Sequence, residues 1–303
     1  MNIVCATDGN YLSHCTVMLQ SLCLHVRDKS DLRVFLILDN VSPEVFAKGI
    51  PHLYEILPSL SIIRADSGPL DHFPVTGHAS IATYFRLLLP GLLPAELQRV
   101  IFIDADTVVT SDLEELWRLP LEGKALAALK VPFKDVDDDY QPGEYFNAGV
   151  MLIDLDRWRQ ADVLRRGGEF ARANPQSLRY WDQDVLNHLF QADWLPFKDR
   201  WNACPHLFGL FPGFSLDPNH LTASEQEAIA DPAIVHFAGG GWMVKPWNAR
   251  CLHPLRHHYL HARSLTPWAA DPLDDAPPPK WRQLVDQTVF RTKSKVRRWI
   301  GAA

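Results

Sequence analysis

Two aspartates one residue apart, Asp104 and Asp106, close the apolar run Arg99-Val-Ile-Phe-Ile and are followed at once by Thr107-Val-Val. Side chains at i and i+2 of a strand leave the same face. The pair is therefore expected to aim two carboxylates at one point just past a buried parallel strand, the edge at which open α/β sheets bind ligands. Hard oxygen donors in that position suit a divalent cation such as Mg²⁺ or Mn²⁺, which could in turn hold nucleotide phosphates. His236 ends another apolar run, Ala233 to Phe237, and near the two aspartates it would complete a mixed oxygen and nitrogen donor set that Mn²⁺ accepts. Gly239, Gly240 and Gly241 permit close backbone approach to a diphosphate, and Lys245 offers it a positive charge.

Polar residues recur at other strand ends. Asp8 follows the first apolar run in Ala6-Thr7-Asp8-Gly9-Asn10-Tyr11, where it either faces a ligand or caps the next helix. Tyr145-Phe-Asn147-Ala-Gly149 sets one amide in an apolar strand, which demands an internal partner or a hydroxyl-rich ligand such as a sugar. Trp181-Asp182-Gln183-Asp184 opens a helix with three polar side chains, more than capping uses.

The elements that must carry these residues follow from the alternation of short apolar runs with longer amphipathic ones, the pattern of a sheet wound with helices. Strands are expected at Asn2 to Thr7, Leu32 to Leu38, Leu60 to Ala65, Val100 to Ile103, Ala125 to Lys130, Tyr145 to Ile153 and Ala233 to Phe237. Helices are expected at Tyr11 to Val26, from Pro43 with Ser42 as cap, at Ala79 to Leu89 stopped by Pro90-Gly91, at Leu155 to Ala173 and at Asp182 to Phe190. The run Asp271 to Pro279 is stiff and turn-rich. It divides the chain into a main domain over residues 1–265, a proline-rich linker over 266–279 and a tail over 280–303.

The formal charge of −6 argues against nucleic acid as a general partner. The five cysteines are scattered, odd in number and free of any Cys-x-x-Cys pair, so buried thiols in a reducing compartment are expected. Met1 leads directly into Asn-Ile-Val-Cys without a leader pattern, and no apolar run is long enough to span a bilayer, which points to the cytoplasm. The tail carries Lys280, Arg282, Arg291, Lys293, Lys295, Arg297 and Arg298 against the single acid Asp286, with apolar residues at near-helical spacing. It reads as a basic amphipathic helix on anionic lipid at the inner face of the membrane, with docking onto the domain as the alternative.

Taken in order, these motifs resemble the retaining glycosyltransferases of family 8, the group that includes bacterial lipopolysaccharide galactosyl- and glucosyltransferases and, more distantly, glycogenin. The matching residues are Ala6-Thr7-Asp8 with Asn10-Tyr11, His78-Ala-Ser-Ile-Ala-Thr-Tyr84-Phe-Arg86, the Asp-x-Asp pair, Phe146-Asn147-Ala-Gly149, Asp182-Gln183-Asp-Val-Leu-Asn187 and His236-Phe-x-Gly. The resemblance implies a GT-A fold, an α/β Rossmann-like nucleotide-sugar-binding domain whose mostly parallel twisted sheet is flanked by helices. It implies a UDP-sugar donor and Mn²⁺ (or Mg²⁺) held by Asp104, Asp106 and His236. Ala6, Asp8, Asn10, Ala105 and Gly239 are then placed around the nucleotide, with Arg86 and Lys245 near the diphosphate or sugar. Asn147, Asp182 and Gln183 surround the transferred galactose or glucose, and Tyr11 and His78 fall on the acceptor side. The implied acceptor is a saccharide or glycolipid, in lipopolysaccharide core or another cell-surface glycan. One departure stands out: the family's lysine ahead of Pro-Trp usually follows the metal histidine by six residues, whereas Lys245 follows His236 by nine.

Retention of configuration takes either a covalent intermediate, for which Asp182 is a better nucleophile than the Gln183 amide, or same-face attack in which the departing phosphate takes the acceptor's proton. Same-face transfer is favoured because no motif supplies a dedicated base. Two other readings fit parts of the chain. Phe102-Ile-Asp104-Ala-Asp106-Thr107 also fits the first motif of haloacid-dehalogenase-type phosphatases, with Asp104 as nucleophile and Asp106 as acid/base, but leaves Asn147, Asp182, Gln183 and His236 without roles. A non-catalytic nucleotide-sugar-binding protein would use its ten tryptophans as stacking platforms, although nearly all have a core-packing explanation.

Overall fold

The computed structural model describes residues 1–75, 80–131, 145–210, 217, 219–239 and 241–274. The first half alternates strand and helix as the apolar periods predict: β1 (Asn2–Asp8), α1 (Leu12–His25), β2 (Arg33–Asp39), α2 (Pro43–Ile56) and β3 (Leu60–Arg64). Ser42 caps α2 by accepting the Val45 N–H, with Pro43 in the first turn. Residues Ile81–Leu88 coil as a 3-10 helix that runs straight into α3 (Leu89–Leu92). Pro90 sits in the first turn of α3, where its missing N–H is not needed, so it starts a turn instead of stopping a helix.

The second half holds β4 (Arg99–Ile103), β5 (Thr107–Val109), α4 (Glu114–Trp117), β6 (Leu126–Lys130) and β7 (Phe146–Asp154). These are followed by α5 (Leu155–Gln160), α6 (Val163–Ala173), α7 (Asp182–Leu189), β8 (Trp194–Pro196), α8 (Ala223–Ala230), β9 (Ile234–His236) and α9 (Arg256–Ser264). The single helix expected over Leu155 to Ala173 is broken at Asp162, whose left-handed φ of 49° turns the chain between α5 and α6. Strands β5 and β8 are too short to show a period, and α8 and α9 lack a strong apolar stripe, which is why the sequence pattern passed over them.

Among the described residues the main sheet has seven strands in the order β3-β2-β1-β4-β7-β6-β8. β3, β2, β1 and β4 run parallel, β7 runs antiparallel to both its neighbours, and β8 is parallel to β6. Strand alternation divides the apolar side chains between two cores. Ile3, Cys5, Ile101 and Ile103 pack with α1 and α2 on one face, and Val4, Val100 and Phe102 pack with Tyr84, Trp158 and Val185 on the other. β9 lies outside this sheet, paired antiparallel with β5 in a small second sheet.

Packing contacts continue past residue 265, into the start of the segment read as a linker. Trp268 is buried against Gly49, at a point where a side chain on Gly49 would collide with its ring. Lys48 pairs with Asp271 at 2.7 Å, and the Asp274 N–H donates to the Trp247 carbonyl at 3.0 Å. A buried tryptophan therefore anchors the start of the proline-rich segment, while residues 275–303, and with them the basic tail, lie outside the described residues. The five cysteines are thiols, all but Cys251 buried. Among the described residues no helix is long and apolar enough to cross a membrane.

Candidate active site

The antiparallel course of β7 builds the site. Because β7 opposes β4, its first residues stand at the edge where β4 ends, and the Asp104 N–H donates to the Gly149 carbonyl at 2.8 Å. Asn147 thus reaches the same edge as Asp104. The two aspartates do not continue the strand, as same-face spacing had implied. Ala105 and Asp106 form a turn, steadied by the Thr107 hydroxyl on the Asp104 carbonyl at 2.9 Å. That turn sends β5 sideways to pair with β9, with Thr107 opposite His236 and the Phe237 N–H on the Asp106 carbonyl at 2.9 Å. The outcome matches the expectation by a different route: Asp104, Asp106 and His236 each present a ligand atom, all within 4.8 Å of one another.

The inner half of the site belongs to the main sheet. Arg86, buried on the last turns of the 3-10 stretch, hydrogen-bonds Asp104 at 2.7 Å, forms an ion pair with Asp182 at 2.8 Å, donates to the Ala148 carbonyl, and lies over the Phe102 ring at 4.5 Å. The residue expected near the diphosphate or sugar is thus engaged in tying two acids together. Burial lifts the Asp104 carboxyl to about 6, with Arg86 pulling it down and Asp106 pushing it up. Burial likewise raises Asp182 against the opposing pull of Arg86 and the Thr83 hydroxyl, which donates to it.

The outer half belongs to the small sheet. Lys245 Nζ donates to Asp106 at 2.6 Å and to the Phe237 carbonyl at 2.9 Å. The longer loop does not carry this lysine away, because a turn from Gly241 absorbs the extra residues: the Val244 and Lys245 N–H groups both return to the Gly241 carbonyl. Gly239 holds φ +94°, which glycine adopts without strain. Burial opposes ionisation of Asp106, yet Lys245 and His236 hold its carboxyl far below the usual range. Burial would lower His236, but Asp106, 3.2 Å from Nε2, raises the ring to about 10.

Helix α7 completes the floor. Trp181 enters it at φ 48°, a conformation rare outside glycine, so the surrounding packing sets that turn. Gln183 accepts the Ala148 N–H at 3.0 Å and donates to Tyr145 Oη at 3.2 Å. Asp184 and Asn187 turn out to be structural. Asn187 bonds both backbone groups of Phe146 where the β6–β7 register shifts, and Asp184 binds the Tyr145 hydroxyl and the Tyr180 N–H.

Asp8 accepts the Asn10 and Tyr11 N–H groups at 3.0 and 3.2 Å and so closes the strand-to-helix turn, but it does not cap α1, whose N-cap residue is Tyr11 and which has no side-chain cap. Tyr11 meets Trp247 edge-on, and His14 stacks on the same indole at 3.7 Å, so Tyr11 stands in an aromatic wall beside Asp8 and Asn10. Ala6 lies in β1, and Ala105 is buried between the two aspartates. His78 and Gly240 lie outside the described residues. Sequence reasoning missed Asn202, a fully buried amide that bonds both His236 and Asn147. Nothing in Arg200-Trp-Asn-Ala-Cys marks it.

The donor set fits a hard divalent cation: two carboxylates and one imidazole, with no thiolate in the cluster. Gly149 is the cradle. A side chain there would strike the His236 ring and come within 2.9 Å of Asp104 Oδ2. The family model described as Glycosyl transferase family 8 matches residues 2–251. The chain belongs to glycosyltransferase family 8. General stress protein A of Bacillus subtilis (strain 168) is 29% identical to the transferase over 280 residues, spanning 88% of this chain and 94% of that protein. Lipopolysaccharide 1,2-glucosyltransferase of Escherichia coli (strain K12) is 27% identical over 284 residues, covering 91% and 81%. Lipopolysaccharide 1,3-galactosyltransferase of Salmonella typhimurium (strain LT2) is 25% identical over 280 residues, covering 88% and 79%. Among solved structures, the galactosyltransferase LgtC in complex with donor and acceptor sugar analogs superposes with a TM-score of 0.76 at 25% identity, covering 93% of the transferase and 99% of LgtC. The GT-A fold is therefore this chain's fold. The phosphatase reading falls with it, since its supposed nucleophile Asp104 is held by Arg86.

Proposed function

We propose that the transferase moves galactose or glucose from a UDP-sugar to a saccharide or glycolipid acceptor of the cell surface, with retention and with a divalent cation held by Asp104, Asp106 and His236. The observation that carries this is the convergence of those three ligand atoms within 4.8 Å, beside Asn147, Asp182 and Gln183. A cation bound there would supply positive charge against the negative charge that grows on the diphosphate as the sugar–phosphate bond breaks.

The chain's own residues set the rest. Lys245, beside Asp106, adds a second positive charge on the phosphate side. Asp182 has one oxygen on Arg86 and the other on Thr83, and Gln183 is held at both ends of its amide. Engaged groups of this kind are poor nucleophiles, which supports same-face transfer over a covalent intermediate on either residue. Tyr11, beside Asp8 and Asn10, fits the base end of the donor better than the acceptor side.

The test is a panel of UDP-hexoses assayed for UDP release with Mn²⁺ or chelator, with and without oligosaccharide acceptors. Metal-dependent release from UDP-galactose or UDP-glucose, enhanced by acceptor, is the expected result. Binding without turnover across the panel would favour the silent binding protein. For residues 280–303 we infer attachment to anionic membrane. Deleting the chain after Pro279 is expected to abolish co-sedimentation with anionic liposomes, and unchanged binding would refute it.

A further inference from the structure

The geometry assigns Asn202 a positioning role: it passes hydrogen-bond polarity from the backbone of β7 to the imidazole nitrogen that faces the cation site, and it orients the Asn147 amide on the way. This rests on reading Asp104, Asp106 and His236 as a cation site. Asn202 closes the 3-10 stretch Asp199–Asn202 and is fully buried.

The chain of contacts starts at a group with only one hydrogen-bonding sense. The Gly149 N–H donates to the Asn147 side chain at 2.9 Å, so the Asn147 atom facing it is oxygen. Asn202 approaches that same oxygen at 2.8 Å and must therefore present its Nδ2, since a flipped amide would set two oxygens against each other. The other end of Asn202, now identified as Oδ1, faces His236 Nδ1 at 2.8 Å and the Cys204 thiol at 3.4 Å. An amide oxygen only accepts, so His236 carries its proton on Nδ1. Nε2, which points toward Asp106, is the nitrogen whose lone pair is offered to a metal.

The relay also settles what Asn147 can do. With Oδ1 taken by two donors, Nδ2 is the end left for a ligand, and Asn147 acts toward a sugar hydroxyl or phosphate oxygen as a donor. The starting residue must be glycine for a separate reason, because a side chain on Gly149 would occupy the space of the His236 ring. One buried amide thereby links cation affinity to recognition of the sugar, two properties the site needs together.

Two substitutions separate the arms of the relay. Asn202→Leu keeps the branched side-chain shape and removes both bonds. Mn²⁺ affinity, titrated calorimetrically in the presence of UDP alone, is expected to fall about 10–100-fold, the usual cost of removing a ligand's hydrogen-bond partner. Asn202→Asp keeps the acceptor for His236 but opposes the Asn147 oxygen. It is expected to retain Mn²⁺ and UDP binding while KM for the UDP-hexose rises. Equal losses of both properties in the two variants would mean a merely structural residue and would overturn the relay. So would unchanged Mn²⁺ affinity in Asn202→Leu. A readout independent of any variant is nitrogen-15 NMR of the unaltered, histidine-labelled protein with Mg²⁺: protonated Nδ1 on His236 is expected, and the opposite tautomer refutes the assignment. If the unaltered chain bound neither Mn²⁺ nor UDP, the cation-site reading would fail first and the relay with it.

Discussion

Asp104 and Asp106 are one residue apart, yet they sit in opposite electrostatic surroundings. Asp104, on the main-sheet side, shares a single guanidinium with Asp182, and burial lifts it to about 6. Asp106, on the small-sheet side, faces Lys245 and His236 and is driven well below the carboxylate range. The inner half is short of positive charge and the outer half is rich in it. A dication placed between them relieves the deficit at Asp104 but must compete with the proton on His236, so the two halves answer differently to mutation, to pH and to metal.

Removing the one cation that the described residues place in the inner half is the harshest way to break this contrast. Arg86→Leu leaves the buried Asp182 and the half-buried Asp104 without this partner and is expected to cost about 3–5 kcal/mol of stability in denaturant unfolding. Part of that loss should return with Mn²⁺, since a ligand of the folded state stabilises it. An outer-half change weakens the fold less, because His236 can shed its proton once its carboxylate partner is gone. Asp106→Ala is expected to lower UDP release roughly 10³-fold, from the several kcal/mol a bound cation supplies, while thermal melts stay cooperative. Full activity in that variant would remove Asp106 from the metal set.

Gly149→Ala touches both halves at once, because the added methyl meets the His236 ring and Asp104. Misplacing ligands by about 1 Å costs on the order of 10²-fold in turnover, and that is the loss expected in steady-state assays. The pH response sharpens the contrast further. The raised His236 contributes stability that is fully present below its ordinary value of 6.5 and is lost as pH rises through about 10. Metal-free protein is therefore expected to melt progressively lower from neutral pH toward 10, whereas Mn²⁺ affinity rises up to roughly tenfold per pH unit over that window as the competing proton leaves. The smallest effect belongs to the exposed first-strand loop. Asp8→Asn keeps an oxygen for the Asn10 and Tyr11 N–H groups and is expected to change stability by under about 0.5 kcal/mol, seen as an unmoved melting curve with a raised KM for the donor.

Much of this architecture was readable in the residues. Runs such as Val100-Ile-Phe-Ile are buried on both faces of a sheet and announce themselves as strands, and the cap at Ser42 followed from residue type and position. Asp104 and Asp106 stood out as candidate cation ligands because acids at the lip of an apolar run are chemically out of place. Other features escaped for physical reasons. The break at Asp162 depends on one left-handed residue that any period average smooths over. Lys245 looked misplaced by its spacing, because spacing does not reveal a turn that shortens the path. Trp268 looked like part of a linker, because its burial is created by a glycine more than two hundred positions earlier in the chain.

By itself, then, the order of amino acids determined most of the longer strands and helices, and which atoms are able to bind a hard cation, since both depend on local period and side-chain chemistry. Tertiary structure alone decided which of those atoms meet. The reversal of β7 brings Asn147 to the end of β4, the turn at Asp106 brings in His236 from the small sheet, and the fold sets Arg86 between two acids. Hydrogen-bond partners and local potential are properties of packed neighbours from distant parts of the chain, so no local pattern encodes that Asn202 sets the direction of the bonds at the site.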